Sequence, residues 1–118
     1  AGASPLRQLR ALRFLARSRY RPGKWTIDAV SHRLQHESAS VREAAVDALA
    51  QITEEGDEYA AAKVGAFLNH KDADTRRAAL RALARIMGSD HASTFAASMG
   101  CADDAHPDVR RAAVGLLR

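Results

Sequence analysis

The chain repeats one phrase: VREAAVDALAQI over Val41–Ile52, TRRAALRALARI over Thr75–Ile86 and VRRAAVGLLR over Val109–Arg118. The three copies begin 34 residues apart. A fixed period of this length is typical of solenoids, in which short helical units stack and each unit packs only on its neighbours. The repeat therefore predicts a row of helices rather than one closed core, and such a row offers an extended surface for binding another macromolecule.

Within each copy the apolar residues fall on one stripe of a helix. Phrase positions 1, 5, 8, 9 and 12 share this stripe, and in the first copy they are Val41, Ala45, Ala48, Leu49 and Ile52. Such spacing indicates the buried face of an amphipathic helix. The equivalent leucines, Leu49, Leu83 and Leu117, are predicted to form one buried column. Side chains just before each copy are predicted to cap the free amides of the helix: Ser40, Asp74 and Asp108.

A second, less regular helix is predicted ahead of each phrase, approximately over Trp25–His36, Tyr59–His70 and Ser93–Asp104. The 34-residue phase also reaches back to Pro5–Ser18, which we interpret as the second helix of an incomplete unit. Strand patterns are absent from the sequence. We predict an all-α fold, a right-handed α-solenoid of about three and a half two-helix repeats in a single domain (half-repeat 5–18, then repeats 25–53, 59–87 and 93–118, the last truncated).

The second helices carry a recognisable motif. The segment HPDVRRAA at His106–Ala113 and the segment KDADTRRAAL at Lys71–Leu80 resemble HEAT repeats, and most closely the short HEAT-like variety of the phycobilin-lyase type. The resemblance covers roughly residues 25–118. It implies stacked two-helix units whose second helices line a concave surface. It implies no particular chemistry, because such repeats serve as scaffolds in unrelated systems.

An arginine recurs at the second position of the phrase, as Arg42, Arg76 and Arg110. The resemblance implies that these arginines pair with aspartates in the turns, such as Asp74 and Asp108, and so form a ladder between units. An arginine fork that bridges carboxylates of adjacent turns has good hydrogen-bond geometry for fixing the register of the repeats. We therefore interpret the ladder as structural.

The outward face of the second helices is rich in arginine. We predict that it binds a protein partner, for which an acidic surface would be complementary, through Arg10, Arg13, Arg17, Arg77, Arg81, Arg85 and Arg111. Nucleic-acid phosphates are the alternative ligand. We favour them less, because few aromatic residues project from this face and because Glu43 and Asp47 interrupt the series. An ordinary solvated face is the plainest interpretation.

Charge is unevenly distributed along the chain. Residues 1–24 hold seven basic groups and no acidic group, a composition that also fits a mitochondrial or plastid transit peptide. We favour the repeat interpretation because the segment keeps the 34-residue phase. The chain begins without methionine and ends inside a helical pattern, so we expect a piece of a longer protein or a processed product. We expect an intracellular location, since Cys101 is the single cysteine and no apolar stretch approaches the length of a membrane span.

Residues with catalytic or metal-binding chemistry form no convincing pattern. His32 and His36 have the i, i+4 spacing of metal ligands, but no third ligand lies near them in sequence. No phosphate-binding loop, nucleophile with an adjacent base, or paired carboxylate motif is visible. We therefore expect neither a cofactor nor a metal, and predict that the chain is not an enzyme. A role as the accessory subunit of a lyase-type enzyme is an alternative that leaves little trace in sequence.

Overall fold

The computed structural model describes residues 4–17, 23–88 and 90–117. These residues form seven α-helices and no strand: α1 Pro5–Arg17, α2 Lys24–His32, α3 Ala39–Ile52, α4 Glu58–Gly65, α5 Ala73–Met87, α6 Ala92–Cys101 and α7 Pro107–Leu117. Short 3-10 turns extend α2 over Arg33–Gln35 and α4 over Ala66–Asn69. The predicted all-α fold class is confirmed.

The helices lie in two layers. In the first layer α1, α3, α5 and α7 pack side by side in chain order, and we call them the second helices. The first helices α2, α4 and α6 each pack against the second helix that follows them. We refer to α2–α3 as unit 1, to α4–α5 as unit 2 and to α6–α7 as unit 3. This stacking is that of an α-solenoid.

The main core runs from α1 through units 1 and 2. Alanine and leucine side chains on the inner faces of α3 and α5 fill it, as the stripe predicts, and Leu49 is completely buried. Leu83 follows in the same column at 5% exposure. The third member, Leu117, is only half-buried. Unit 3 instead shares a small, separate cluster with α5, formed by Leu80, Cys101, Val109 and Ala113.

The prediction that Ser40, Asp74 and Asp108 cap the second helices is wrong. Helix α3 already begins at Ala39 and α5 at Ala73, while α7 begins at Pro107. The three polar residues therefore lie inside the first turn. A carboxylate is still favourable there, because it interacts with the positive end of the helix dipole.

Histidine side chains, rather than the predicted caps, accept hydrogen bonds from backbone amides next to the helix starts. In four turns the Nδ1 atom of a histidine accepts a hydrogen bond from the backbone N–H two residues later, at 2.9–3.1 Å. The four histidines are His36, His70, His91 and His106. Nδ1 accepts this bond through its lone pair. The recurrence of histidine at the turns thus has a structural cause.

Candidate functional site

The ladder arginines first organise their own turns. In every unit Nη1 of the arginine donates to the carbonyl oxygens six and five residues earlier, at 2.7–3.1 Å. These arginines are Arg42, Arg76 and Arg110. Each arginine thus supplies donors for two turn carbonyls that have no partner within a helix. The turn between the two helices of each unit is therefore fixed by the second helix itself.

Two ladder arginines also reach the next unit. Nη2 of Arg42 lies 3.7 Å from Oδ2 of Asp74. Arg76 is bidentate: Nε and Nη2 each donate to a carboxylate oxygen of Asp104 at 2.8 Å. This hydrogen bonding lowers the pKa of the Asp104 carboxyl below its ordinary value and raises the pKa of the Arg76 guanidinium. The strongest rung of the ladder thus joins units 2 and 3, and its carboxylate comes from the turn after α6.

Asp104 is a residue that sequence reasoning missed. It closes the turn further, because Oδ1 accepts the N–H of His106 at 2.9 Å and its carbonyl accepts Arg110. The proposed ladder residue Asp108 faces elsewhere, since its Oδ1 accepts from Nη1 of Arg111 at 2.9 Å. The spacing of the sequence does not identify Asp104. Asp74 lies 32 residues after Arg42, whereas Asp104 lies 28 residues after Arg76.

The outward faces of α1, α3, α5 and α7 form what we call the second-helix surface. On α1 the side chains of Arg10 and Arg13 are exposed and make no ion pair with any described residue. The side chain of Arg17 lies outside the described part of the chain. The remaining arginines of the predicted site lie on α5 and α7, where the structure divides them into two groups.

Between α3 and α5 the arginines are paired. Arg81 donates to Glu43, and Arg85 donates to Asp47. The bond to Glu43 raises the pKa of the Arg81 guanidinium. Both pairs are formed across the helix interface, by residues 38 positions apart in sequence. The two acids that seemed to interrupt the basic stripe therefore neutralise two of its members.

Between α5 and α7 the surface opens into a groove. We call it the α5–α7 groove; it has a volume of about 350 Å³ and lies on the second-helix surface. Its lining consists of Arg77, Arg81, Asp108, Arg111 and Ala112. Arg77 has no ion-pair partner within the described residues, and the side chain of Arg111 is 74% exposed.

A polar cluster on the first helices was also missed. The Tyr59 hydroxyl donates to Oδ1 of Asp28 at 2.6 Å, and Lys63 Nζ lies 3.4 Å from the same oxygen. The bond from Tyr59, helped by Lys63, lowers the pKa of the Asp28 carboxyl. Lys24 Nζ lies 4.9 Å from the centre of the Tyr59 ring. The cluster ties α2 to α4, and its parts do not recur at the repeat period.

Groups suited to metal or covalent chemistry are scattered. The described residues contain no group of three or more His, Cys, Asp or Glu side chains that could share a metal ion. Cys101 is buried in the small cluster of unit 3, and burial raises the pKa of its thiol. Within the same residues, no helix combines the length and apolar character needed to cross a membrane.

Comparison with known proteins identifies a family to which most of the chain is similar. The family model described as HEAT repeats matches residues 27–118, which is most of the chain. Comparison with curated proteins and with solved structures gave no significant match. The match begins within α2 and includes all three copies of the repeated phrase, together with the ladder arginines. With its two-layer stack of helical units, the chain belongs to the HEAT repeat family.

Proposed function

We propose that this chain binds another protein along the second-helix surface. HEAT repeats commonly mediate protein–protein interaction. The single observation that favours this surface is its row of arginines that form no ion pair with any described residue: Arg10, Arg13 and Arg77. Cations that a protein leaves unpaired on one face attract a partner of opposite charge and speed its encounter. A partner with an acidic surface is therefore part of the proposal.

Nucleic acid is the second candidate, because the same unpaired arginines could meet phosphates. The ion pairs of Arg81 and Arg85 weigh against it. A nucleic-acid backbone needs cations along its path, whereas these pairs place a neutral stretch between α1 and the α5–α7 groove. A protein partner can instead match separate charged patches.

The proposal predicts which positions touch the partner. A photo-crosslinking residue replaces Ala50 or Ala84, which are equivalent half-buried positions at the edge of the second-helix surface. The matched controls are Ala62 and Ala96, which are equivalent exposed positions on first helices. We expect crosslinks to one protein from Ala50 and Ala84, and none from the controls.

The captured protein is then purified and its affinity for the chain is measured by titration calorimetry. Binding that resists a bulky substitution at Ala84 would contradict the proposal, and so would crosslinks that come from Ala62 and Ala96 alone. Loss of the crosslinks after nuclease treatment would favour nucleic acid.

A further inference from the structure

The two interfaces between second helices differ at one equivalent place. Between α3 and α5, each acid on α3 meets the arginine 38 positions later on α5. The residue 38 positions after Arg77 is Gly115, which lies on α7. Glycine has no side chain to offer, and a Cβ atom added at Gly115 would meet nothing within 4 Å. Among the described residues Arg77 therefore forms no ion pair, whereas Arg81 and Arg85 on the same helix each do.

Arg111 adds a second cation to the same groove. Its guanidinium contacts Asp108 on its own helix, but the side chain is 74% exposed. Ion pairs this exposed are weak and exchange readily for other partners. Arg77 and Arg111 therefore face a space of about 350 Å³ with donors that an incoming acceptor could engage.

We propose that the α5–α7 groove binds the carboxylates of an acidic segment of the protein partner, with Arg77 and Arg111 as the direct contacts. This inference deepens the proposed function and rests on it. Arginine suits this task because its planar fork can hold a carboxylate through two hydrogen bonds.

The molecule itself favours carboxylate over phosphate as the ligand. At the equivalent interface, carboxylates of Glu43 and Asp47 already satisfy arginines of α5 in this geometry. Those same pairs lie between the groove and Arg10 and Arg13 on α1, which pair with none of the described residues. A short acidic peptide fits within one groove, whereas a nucleic-acid strand gains affinity by neutralising many phosphates in a row.

The first test uses a fluorescein-labelled peptide of eight residues, in which Glu alternates with Gly, and a control peptide with Gln in place of Glu. We expect the Glu peptide to bind and the Gln peptide to bind at least about tenfold more weakly, since charge-assisted hydrogen bonds are lost. Arg77→Gln and Arg111→Gln should each weaken binding of the Glu peptide by roughly fivefold to tenfold. Arg33→Gln changes the net charge equally on the other layer and should change binding less than about twofold.

The second test adds a carboxylate beside the groove from within the chain. Gly115 lies one helical turn after the groove residues Arg111 and Ala112 on α7, so Gly115→Glu should compete for the groove arginines and reduce binding of the Glu peptide by about tenfold or more. Gly115→Gln has the same size without the charge, and should retain most of the binding. Thermal unfolding of each variant, followed by circular dichroism, shows that the helices remain folded.

Four results would overturn the inference. The first is equal loss of peptide binding in Arg33→Gln and Arg77→Gln, and the second is equal loss in Gly115→Gln and Gly115→Glu. The third is tight binding of a single-stranded or duplex oligonucleotide near physiological salt while the Glu peptide does not bind. If a partner crosslinked from Ala84 binds Arg77→Gln and Arg111→Gln normally, the groove assignment fails while the proposed protein-binding function stands.

Discussion

The interface between units 1 and 2 and the interface between units 2 and 3 use the same repeat phrase but different forces. The first is apolar at its centre, where Leu49 and Ile86 belong to the main core. The second has only a small cluster around Leu80 and Val109. It has instead the bidentate ion pair between Arg76 and Asp104. The equivalent contact in the first interface, between Arg42 and Asp74, is longer, at 3.7 Å.

The first helices explain much of this difference. The core positions Val30 and Val64 in units 1 and 2 correspond to Ser98 in unit 3. Two large apolar residues of α6 lie at the surface: Phe95 is 56% exposed and Met99 is 54% exposed. One sequence phrase can thus hold two neighbouring interfaces together either by apolar burial or by a polar clasp, depending on the helix that packs behind it.

The largest effect should come from the leucine column. Leu83→Ala is expected to cost about 2–5 kcal/mol of unfolding free energy, because it removes buried methyl groups and leaves a cavity. Leu117 is half-buried, so Leu117→Ala should lower the unfolding free energy by less than about half as much as Leu83→Ala. Urea unfolding followed by circular dichroism measures both, with the exposed Leu6→Ala as control. Equal losses at Leu83 and Leu117 would show that unit 3 is as well packed as unit 2.

The polar clasp should give the next largest effect. Arg76→Ala is expected to cost about 2–3 kcal/mol, because it breaks several hydrogen bonds at once and leaves Asp104 partly buried without its cation. Arg42→Ala should cost about 1 kcal/mol less, since Asp74 is 54% exposed and further away. Binding to a partner should be nearly unchanged in Arg76→Ala. A variant with normal unfolding free energy that had lost binding would make Arg76 a contact residue.

Acid should loosen the same clasp. Arg76 lowers the pKa of the Asp104 carboxyl in the folded chain. The charged carboxylate therefore stabilises the fold fully above its unfolded pKa of about 3.9, and this contribution is lost as pH falls through the lower folded value. Unfolding free energy measured from neutral pH downwards should fall less steeply for Asp104→Asn than for the native chain. Parallel curves would mean that the ion pair contributes nothing.

Unit 3 should also become more stable when its core is made apolar. The hydroxyl of Ser98 is buried and has no hydrogen-bond partner among the described residues. Ser98→Val restores the residue type of the other units and should stabilise the fold by about 1 kcal/mol. Ser98→Ala removes the hydroxyl without adding volume, so it separates the two contributions. Destabilisation by valine alone would mean that this site in unit 3 has no room for the larger side chain.

The repeat predicted the fold because helical periodicity and stacking are both local properties. The phrase places Leu49 and Leu83 at the core, and the structure confirms this. Contacts between units are harder to predict from one sequence, because they depend on the angle and offset at which neighbouring helices pack. Asp104 meets Arg76 only because the turn after α6 takes a particular course.

The ion pairs of the candidate site were also hard to predict, because they too form between units. The arginine stripe can be found from the helical phase, but which of its members are paired cannot. A step of 38 residues, rather than 34, relates Arg81 to Glu43, so the paired side chains are offset by about one helical turn from the repeat period. Binding through Arg77 and Arg111, the absence of catalytic activity and an intracellular location all stay predictions.

The smallest effect should come from the exposed ion pairs of the better-packed interface. Replacing Arg85 by Gln together with Asp47 by Asn removes one pair and leaves the net charge unchanged. Both side chains are more than two-fifths exposed, at 42% and 60%. Water screens such a pair, and ordering two flexible side chains offsets most of its attraction, so the unfolding free energy should change by less than about 0.5 kcal/mol. The control is the single change Asp47→Asn, which removes the same pair but keeps the Arg85 guanidinium. A loss above about 1 kcal/mol in the double variant would show that the first interface also depends on polar contacts, and the contrast with the Arg76 clasp would then disappear.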